Sequence, residues 1–333
     1  MKDNNQTLGY SLPDITDDYI RENLRVQSLP VRSELTAKDE SLHRHSPMLM
    51  SLQASIRNLR SDLPRYLLNR FRFHSAYREL KGLKGSGRGR RALVLGNGPS
   101  QGFVNRDILG EFKRKGNDLF VVNYWDANDE LLFVGPTHLV ISDPGTLKCD
   151  GRLGQNSLAN EQDLHLAATL RACPDIYIFC PMARMVQMNA LFPRSRVTGF
   201  TDEEIRISGN TSPVFPRGYV SMTLFKALSL ALFYDYDSIF VLGMDNTYPR
   251  NLYCDVHNRV MSREHYATGD YYLIGIDASD VAGELFELSK LFDDLKLFER
   301  RSPLKIMNLD PYSLTDAFEK VHSIEAGLSR LIQ

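Results

Sequence analysis

From residue 91 to the end, short β-branched apolar runs take turns with segments of helical period, and this alternation narrows the choice of fold more than any other feature. The runs fall at 92–95, 119–122, 138–142, 176–180, 238–242 and 304–307. Helical spacing fills 161–172, 220–233 and 280–298, the last with Leu285, Leu288, Leu291, Phe292 and Leu295 on one stripe. A buried parallel strand is apolar throughout, and it needs a helical crossover to reach its parallel neighbour. The pattern therefore predicts an α/β domain over 91–333, with a Rossmann-like, mostly parallel sheet flanked by helices.

The first 90 residues differ. Residues 1–45 are polar and without sustained period, which predicts an arm with little regular structure, mobile or draped over the body. From Leu49 the positions Leu49, Leu52, Ile56, Leu59, Leu63 and Tyr66 follow 3-4-3-4-3 spacing, an amphipathic helix interrupted near Pro64. Residues 70–91 then carry eight basic side chains against the single acid Glu79, a local charge of +7 in a chain whose net charge is -1. Residues 46–90 thus read as a helical extension with a basic, Gly-rich linker. Such a segment can lie on an anionic inner-membrane surface, or pack on the body or another subunit. With 40 Lys and Arg balanced by 41 Asp and Glu, no global field marks a nucleic-acid binder. The N-terminus lacks an apolar signal core, no stretch is long enough to span a bilayer, and the four cysteines have no Cys-x-x-Cys spacing. A cytoplasmic protein with reduced thiols and no structural metal is expected, with membrane association through the helix as the open alternative.

Gly96-Asn97-Gly98-Pro99-Ser100 follows the first strand directly. Glycines there let the backbone approach a ligand, and the amides that open the next segment can face an anion or a ribose. The turn lacks the Lys-Ser/Thr of a P-loop, and Gly102 comes one residue too late for the dinucleotide fingerprint. Asn123 follows the second strand and Asp143-Pro144-Gly145 the third. Polar residues just past the carboxyl ends of parallel strands collect in the crevice where open sheets bind ligands. Each also suits an ordinary turn, so both readings stand at this point.

A second cluster begins at Arg217-Gly218, expected to open a helix, and continues past the strand at 238–242 into Gly243-Met244-Asp245. Tyr248, Tyr253, His257, His265 and Tyr266 follow. Tyrosine hydroxyls can stabilise a departing phosphate, and histidine can move a proton near neutral pH.

Taken in order, these segments resemble the bacterial sialyltransferases of glycosyltransferase family 42. They also resemble the related group of motility accessory factors and 6-hydroxymethylpterin diphosphokinase-like proteins. The resemblance covers residues 91 to about 310. It implies a GT-A-like variant of the Rossmann-like fold, a CMP-sugar donor, and a bacterial surface glycan, lipopolysaccharide included, or a glycoprotein as acceptor. It further implies inverting transfer without a metal or other cofactor, and a homo-oligomer. By the same resemblance, Gly96, Asn97, Gly98, Ser100, Asn123, Asp143, Arg217, Gly218 and Asp245 bind substrate, Tyr248 and Tyr253 hold the leaving phosphate, and His265 is the base. Three departures stand out: Asp143 replaces an asparagine, Tyr248 lies one residue farther from Asp245, and the family's histidine falls a few residues beyond His265. Asp270 or Asp277 can take the base role there. The alternatives are an ATP- and Mg²⁺-dependent diphosphokinase-like enzyme and a noncatalytic binding protein.

Overall fold

The computed structural model describes residues 25–26, 47–147, 161–246, 252–254, 260–265, 267, 271–276, 281–302 and 306–333. Tyr248, His257, Tyr266, Asp270 and Asp277 lie outside them, and so does the side chain of His265.

In chain order the elements are β1 (Arg25–Val26), α1 (Pro47–Arg72), α2 (His74–Gly82), β2 (Arg91–Leu95), α3 (Arg106–Arg114), β3 (Asp118–Val122), α4 (Asp129–Val134) and β4 (His138–Val140). Then come α5 (Glu161–Ala172), β5 (Tyr177–Pro181), α6 (Met185–Leu191), β6 (Val197–Phe200), α7 (Thr223–Tyr234) and β7 (Ser238–Leu242). The chain closes with β8 (Leu252–Cys254), β9 (Val260–His265), β10 (Tyr271–Ile276), α8 (Val281–Arg301), β11 (Ile306–Asn308), β12 (Glu319–Lys320) and α9 (Ile324–Ile332).

Eight strands form one parallel sheet in the order β12-β11-β7-β2-β3-β4-β5-β6. The expected α/β Rossmann-like arrangement is therefore present. Alternate residues of each strand serve opposite faces: Leu93, Leu95, Val121 and Leu242 join a core under α3, α5, α6 and α9, while Ala92, Val94, Phe120 and Val241 join another under α2, α7 and α8. The chain runs outward from β2 through β6, then returns to place β7 on the other side of β2. The switch of direction thus falls between β2 and β7, where an open sheet leaves a crevice beyond its carboxyl edge.

Local chemistry starts the outer helices. Asn105 caps α3 by accepting from the amides of Asp107 (3.1 Å) and Ile108 (3.0 Å), and Asn128 caps α4 from Glu130 (3.0 Å). A second sheet, β1-β10-β9-β8, is separate: β8, β9 and β10 form an antiparallel meander, and β1 pairs in parallel with β10 through Arg25↔Tyr272 and Val26↔Leu273. A short stretch of the polar arm is therefore an edge strand.

Three expectations change. The helix is not interrupted at Pro64, for α1 continues through it to Arg72. The basic linker is partly a helix, and Ala76, Tyr77 and Leu80 of α2, with Leu83 beyond, bury into the body core beside β6. Their spacing of one, three and three residues is helical, but the surrounding cations mask it in composition. Finally, Arg217-Gly218 precede α7 rather than opening it, since the helix starts at Thr223.

Candidate functional site

Strands β2, β3 and β4 lie side by side, so the polar residues after them share one edge of the sheet. The turn after β2 is built against the turn after β7. A Cβ on Gly96 or on Gly98 would collide with the Gly243 carbonyl, and one on Gly98 would also overlap the Asp245 carboxylate. Gly243 has φ +74°, and a Cβ there would run into the Gly96 backbone. The space that a Cβ would take at these glycines is filled by the chain itself.

The amides of Gly96, Gly98 and Ser100 are spent in the same way. Gly96 N–H donates to Leu242 O (2.8 Å) and Gly98 N–H to Gly243 O (3.1 Å). Ser100 donates from its amide to Asp245 Oδ1 (3.0 Å) and from its hydroxyl to Asp245 Oδ2 (3.0 Å), while its Oγ accepts from Gly243 N–H (2.9 Å). An internal carboxylate thus occupies the position at Ser100 that the sequence reading gave to an anionic ligand. Gln101, unremarked in the sequence, donates to Gly96 O (2.8 Å) and accepts from Asn128 (2.8 Å). Ser100 and Asp245 join the two strand ends as a structural clasp.

Burial pushes the Asp245 carboxyl up to about 7, with the nearby Asp310 carboxylate adding to the rise and the Ser100 bonds opposing it. Asp310 is raised as well, chiefly by burial. A folded-state value above the ordinary carboxylate range means that the native protein keeps a proton which the unfolded chain releases. The associated stability is complete below about pH 4 and is lost as pH rises through 7. Urea midpoints measured across that interval should therefore fall, and Asp245→Asn should flatten part of the decline. A variant with the parent's slope would remove Asp245 from the cause.

Asn123 stands one strand away in a left-handed conformation, φ 46°. Its Nδ2 donates to Thr223 Oγ1 (3.2 Å), which shares a 2.7 Å hydrogen bond with Ser142 Oγ, while its Oδ1 is buried without a hydrogen-bond partner. Thr223 begins α7, so the first turn of that helix, the Asn123 amide and Ser142 meet at the carboxyl ends of β3 and β4. The orphaned oxygen can accept from a hydroxyl or amino group of a ligand. Asp143, expected beside it, is exposed and accepts from Gly145 N–H of its own turn (2.8 Å).

Arg217 and Gly218 serve packing. Arg217 is buried, pairing with Glu204 (2.8 Å) and Asp202 (3.4 Å) and donating to the carbonyl of Tyr219. Lys226 joins Asp202 (2.6 Å), and Arg206 joins both Glu204 and Asp294 (2.8 Å each), so three cations meet three carboxylates. Gly218 lies where a Cβ would strike the backbone of Gly209 and Asn210. Arg217→Ala should cost about 3 kcal/mol by emptying a buried site and leaving the half-buried Glu204 and Asp202 short of a cation. Chemical denaturation checks this, and a change within error would overturn the packing role.

The second cluster reaches the glycine turn through the meander. Ala267, just past the end of β9, donates its amide to Asn97 O at 3.0 Å. His265 is the last residue of β9 and pairs with Tyr271 across the hairpin. Tyr253 lies on β8 opposite Met261, with its hydroxyl buried. Backbone pairing thus brings the hairpin tip next to His265 onto Asn97.

A histidine and aspartate 39 positions apart also meet at this edge, and no local pattern could have shown it. Asp126, three residues after Asn123, is buried, and His165 Nδ1 of α5 lies 2.7 Å from its Oδ2, with the ring mostly exposed. The chain's Asp-x-Asp spacing, Asp235-Tyr236-Asp237, sits at the opposite edge before β7. There Asp235 pairs with Arg88 (2.6 Å) and Asp237 accepts from Gly89 N–H (3.0 Å). Among the described residues no three His, Cys, Asp or Glu side chains assemble as a metal site.

No protein-family model and no curated protein sequence matches the chain. Among solved structures, the MAf glycosyltransferase of Magnetospirillum magneticum AMB-1 is similar at 13% identity and a TM-score of 0.42, over 77% of this chain. The match spans 41% of that protein's length.

Proposed function

We propose that the chain is a glycosyltransferase of the sialyltransferase type. It moves a nonulosonate or Kdo from a CMP-activated donor to a bacterial surface glycan or glycoprotein. The observation that carries this reading is the hydrogen bond from Ala267 to Asn97, which joins the histidine- and tyrosine-bearing meander to the glycine turn at the carboxyl edge. A nucleotide-sugar site of this type needs that juxtaposition, since the donor is bound by the strand ends and the departing phosphate by residues arriving from elsewhere in the chain. The buried acceptor of Asn123 supports it further, being suited to a sugar or base hydroxyl or amino group.

In the proposed reaction the acceptor hydroxyl attacks the anomeric carbon and gives its proton to His265. The bond from that carbon to the phosphate oxygen breaks, and CMP departs with its developing charge stabilised by the hydroxyls of Tyr248 and Tyr253. Asp270 is the alternative base. Asn97 and Asn123 orient the donor, and no metal or other cofactor takes part.

A thermal-shift panel of CMP, CDP, UDP, ATP and S-adenosylmethionine, each with and without Mg²⁺, tests the donor class. At 100 times its Kd, a ligand confined to the folded state adds about 2.7 kcal/mol. CMP should shift the midpoint without Mg²⁺. A response to ATP with Mg²⁺ alone would make the chain a diphosphokinase-like enzyme, and no response to any nucleotide would make it a noncatalytic protein. Tyr253→Phe should lower kcat more than it weakens CMP binding, and equal turnover would exclude that hydroxyl from the reaction.

A further inference from the structure

The long helix α1 meets the body along one side. Asn69 Nδ2 donates to Glu203 (2.6 Å), Asp62 accepts from the amide of Glu204 (2.9 Å), and Tyr66 meets the edge of the Tyr77 ring. At about 100° per residue these three positions lie on a common face. The same arithmetic puts Ile56, Leu67, Leu68 and Phe71 on the outer side with Leu63 at its margin, and all five are exposed: Phe71 by 86%, Leu68 by 63% and Leu67 by 57%. Pro64 lies among them, also exposed. An exposed, largely apolar ridge therefore faces away from the core it would ordinarily join, and such ridges mark contact surfaces.

The charge around the ridge selects its occupant. Arg60 rises from within it and Arg72 stands exposed on its flank, while Arg65, also exposed, lies 3.6 Å from Asp62. Beyond it, Arg78, Lys81 and Lys84 of the α2 region are exposed as well. The only acids between 56 and 91 are Asp62, which is turned to the body, and Glu79, which lies near Arg196 (4.0 Å). A second copy of the chain would set this cationic strip against its own like. Arginine and lysine stems can instead lie along an apolar surface with their charged ends among phosphates.

We infer that the outward ridge of α1, Ile56-Leu63-Leu67-Leu68-Phe71 with its arginine flank, is a docking surface for an anionic phospholipid bilayer. The helix lies in the headgroup plane, its apolar side chains reaching the acyl boundary and its cations facing lipid phosphates. Among the described residues no helix is long and apolar enough to cross a membrane, so this attachment is peripheral. It stands on the ridge and its charges alone, whatever reaction the sheet edge performs.

Vesicle sedimentation with the full chain tests it. Vesicles of phosphatidylglycerol mixed with phosphatidylcholine should pellet the protein at low salt and release it as salt is raised, whereas pure phosphatidylcholine should bind it far less. The double substitution Leu67→Glu and Phe71→Glu should lower the vesicle partition coefficient by about tenfold or more. It should leave the thermal midpoint unchanged, because both side chains already face solvent. Arg60→Gln with Arg72→Gln, which keeps the ridge, should weaken binding to the anionic vesicles specifically. Equal binding of parent and Leu67/Phe71 variant would overturn the inference. So would failure to bind anionic vesicles, or a dimer in solution that the same variant dissociates while vesicles bind neither form.

Discussion

Gly243→Ala should destabilise the protein by about 3–5 kcal/mol, combining a left-handed backbone imposed on an alanine with an overlap that neither side can relieve. The conformation at residue 243 is φ +74°, and the atoms a methyl group would meet are the backbone oxygen and carbon of Gly96, themselves fixed by the β2–β7 ladder. Flexible side chains can yield to an added methyl; paired strands cannot. Gly102→Ala is the matching control, because a Cβ there meets nothing within 4 Å. Urea denaturation of the two variants should give a large fall in midpoint for the first and almost none for the second. If Gly243→Ala kept the parent's midpoint, the glycines would not be needed for this junction.

His265→Ala should reduce sugar transfer by about 100-fold to 10,000-fold, the usual contribution of a general base, with CMP binding retained. Retained binding separates loss of the base from loss of the site. The residue closes β9 two positions before the amide that bonds to Asn97, so its substitution leaves that backbone contact available. His165→Ala is the informative companion, since that ring is held by a buried aspartate at the same edge. An unaffected rate in His265→Ala with a collapse in His165→Ala would move the base to the His165–Asp126 pair. Full activity in both would direct attention to Asp270.

Residues with one dominant local preference were legible in advance. Leu93-Val94-Leu95, Phe120-Val121-Val122 and Phe240-Val241-Leu242 are runs that only a doubly covered strand can bury, and all became central strands of the parallel sheet. Residues 161–172 form α5 as their composition suggested, and the glycine turn stands at the carboxyl end of the first sheet strand. The short β6, the caps of α3 and α4, and the meander were not separated from loop, because three to six residues offer too little period to distinguish them. Helix α2 was hidden for another reason: its buried Ala76, Tyr77 and Leu80 sit among exposed cations that dominate the local composition.

What the sequence determined by itself was the layered α/β architecture, since apolar period depends on near neighbours in the chain and admits few ways of burying alternating strands and helices. It also marked the carboxyl edge as the place where polar residues gather. Only the tertiary structure decided what each of them does there. Gly96 and Gly98 turned out to face Gly243 and Asp245, Arg217 the carboxylates of Asp202 and Glu204, and Asn97 the tip of a hairpin some 170 positions onward. A contact across that distance leaves no period to read, because its partner is chosen by how strands order themselves in the sheet, and that order depends on the whole chain at once.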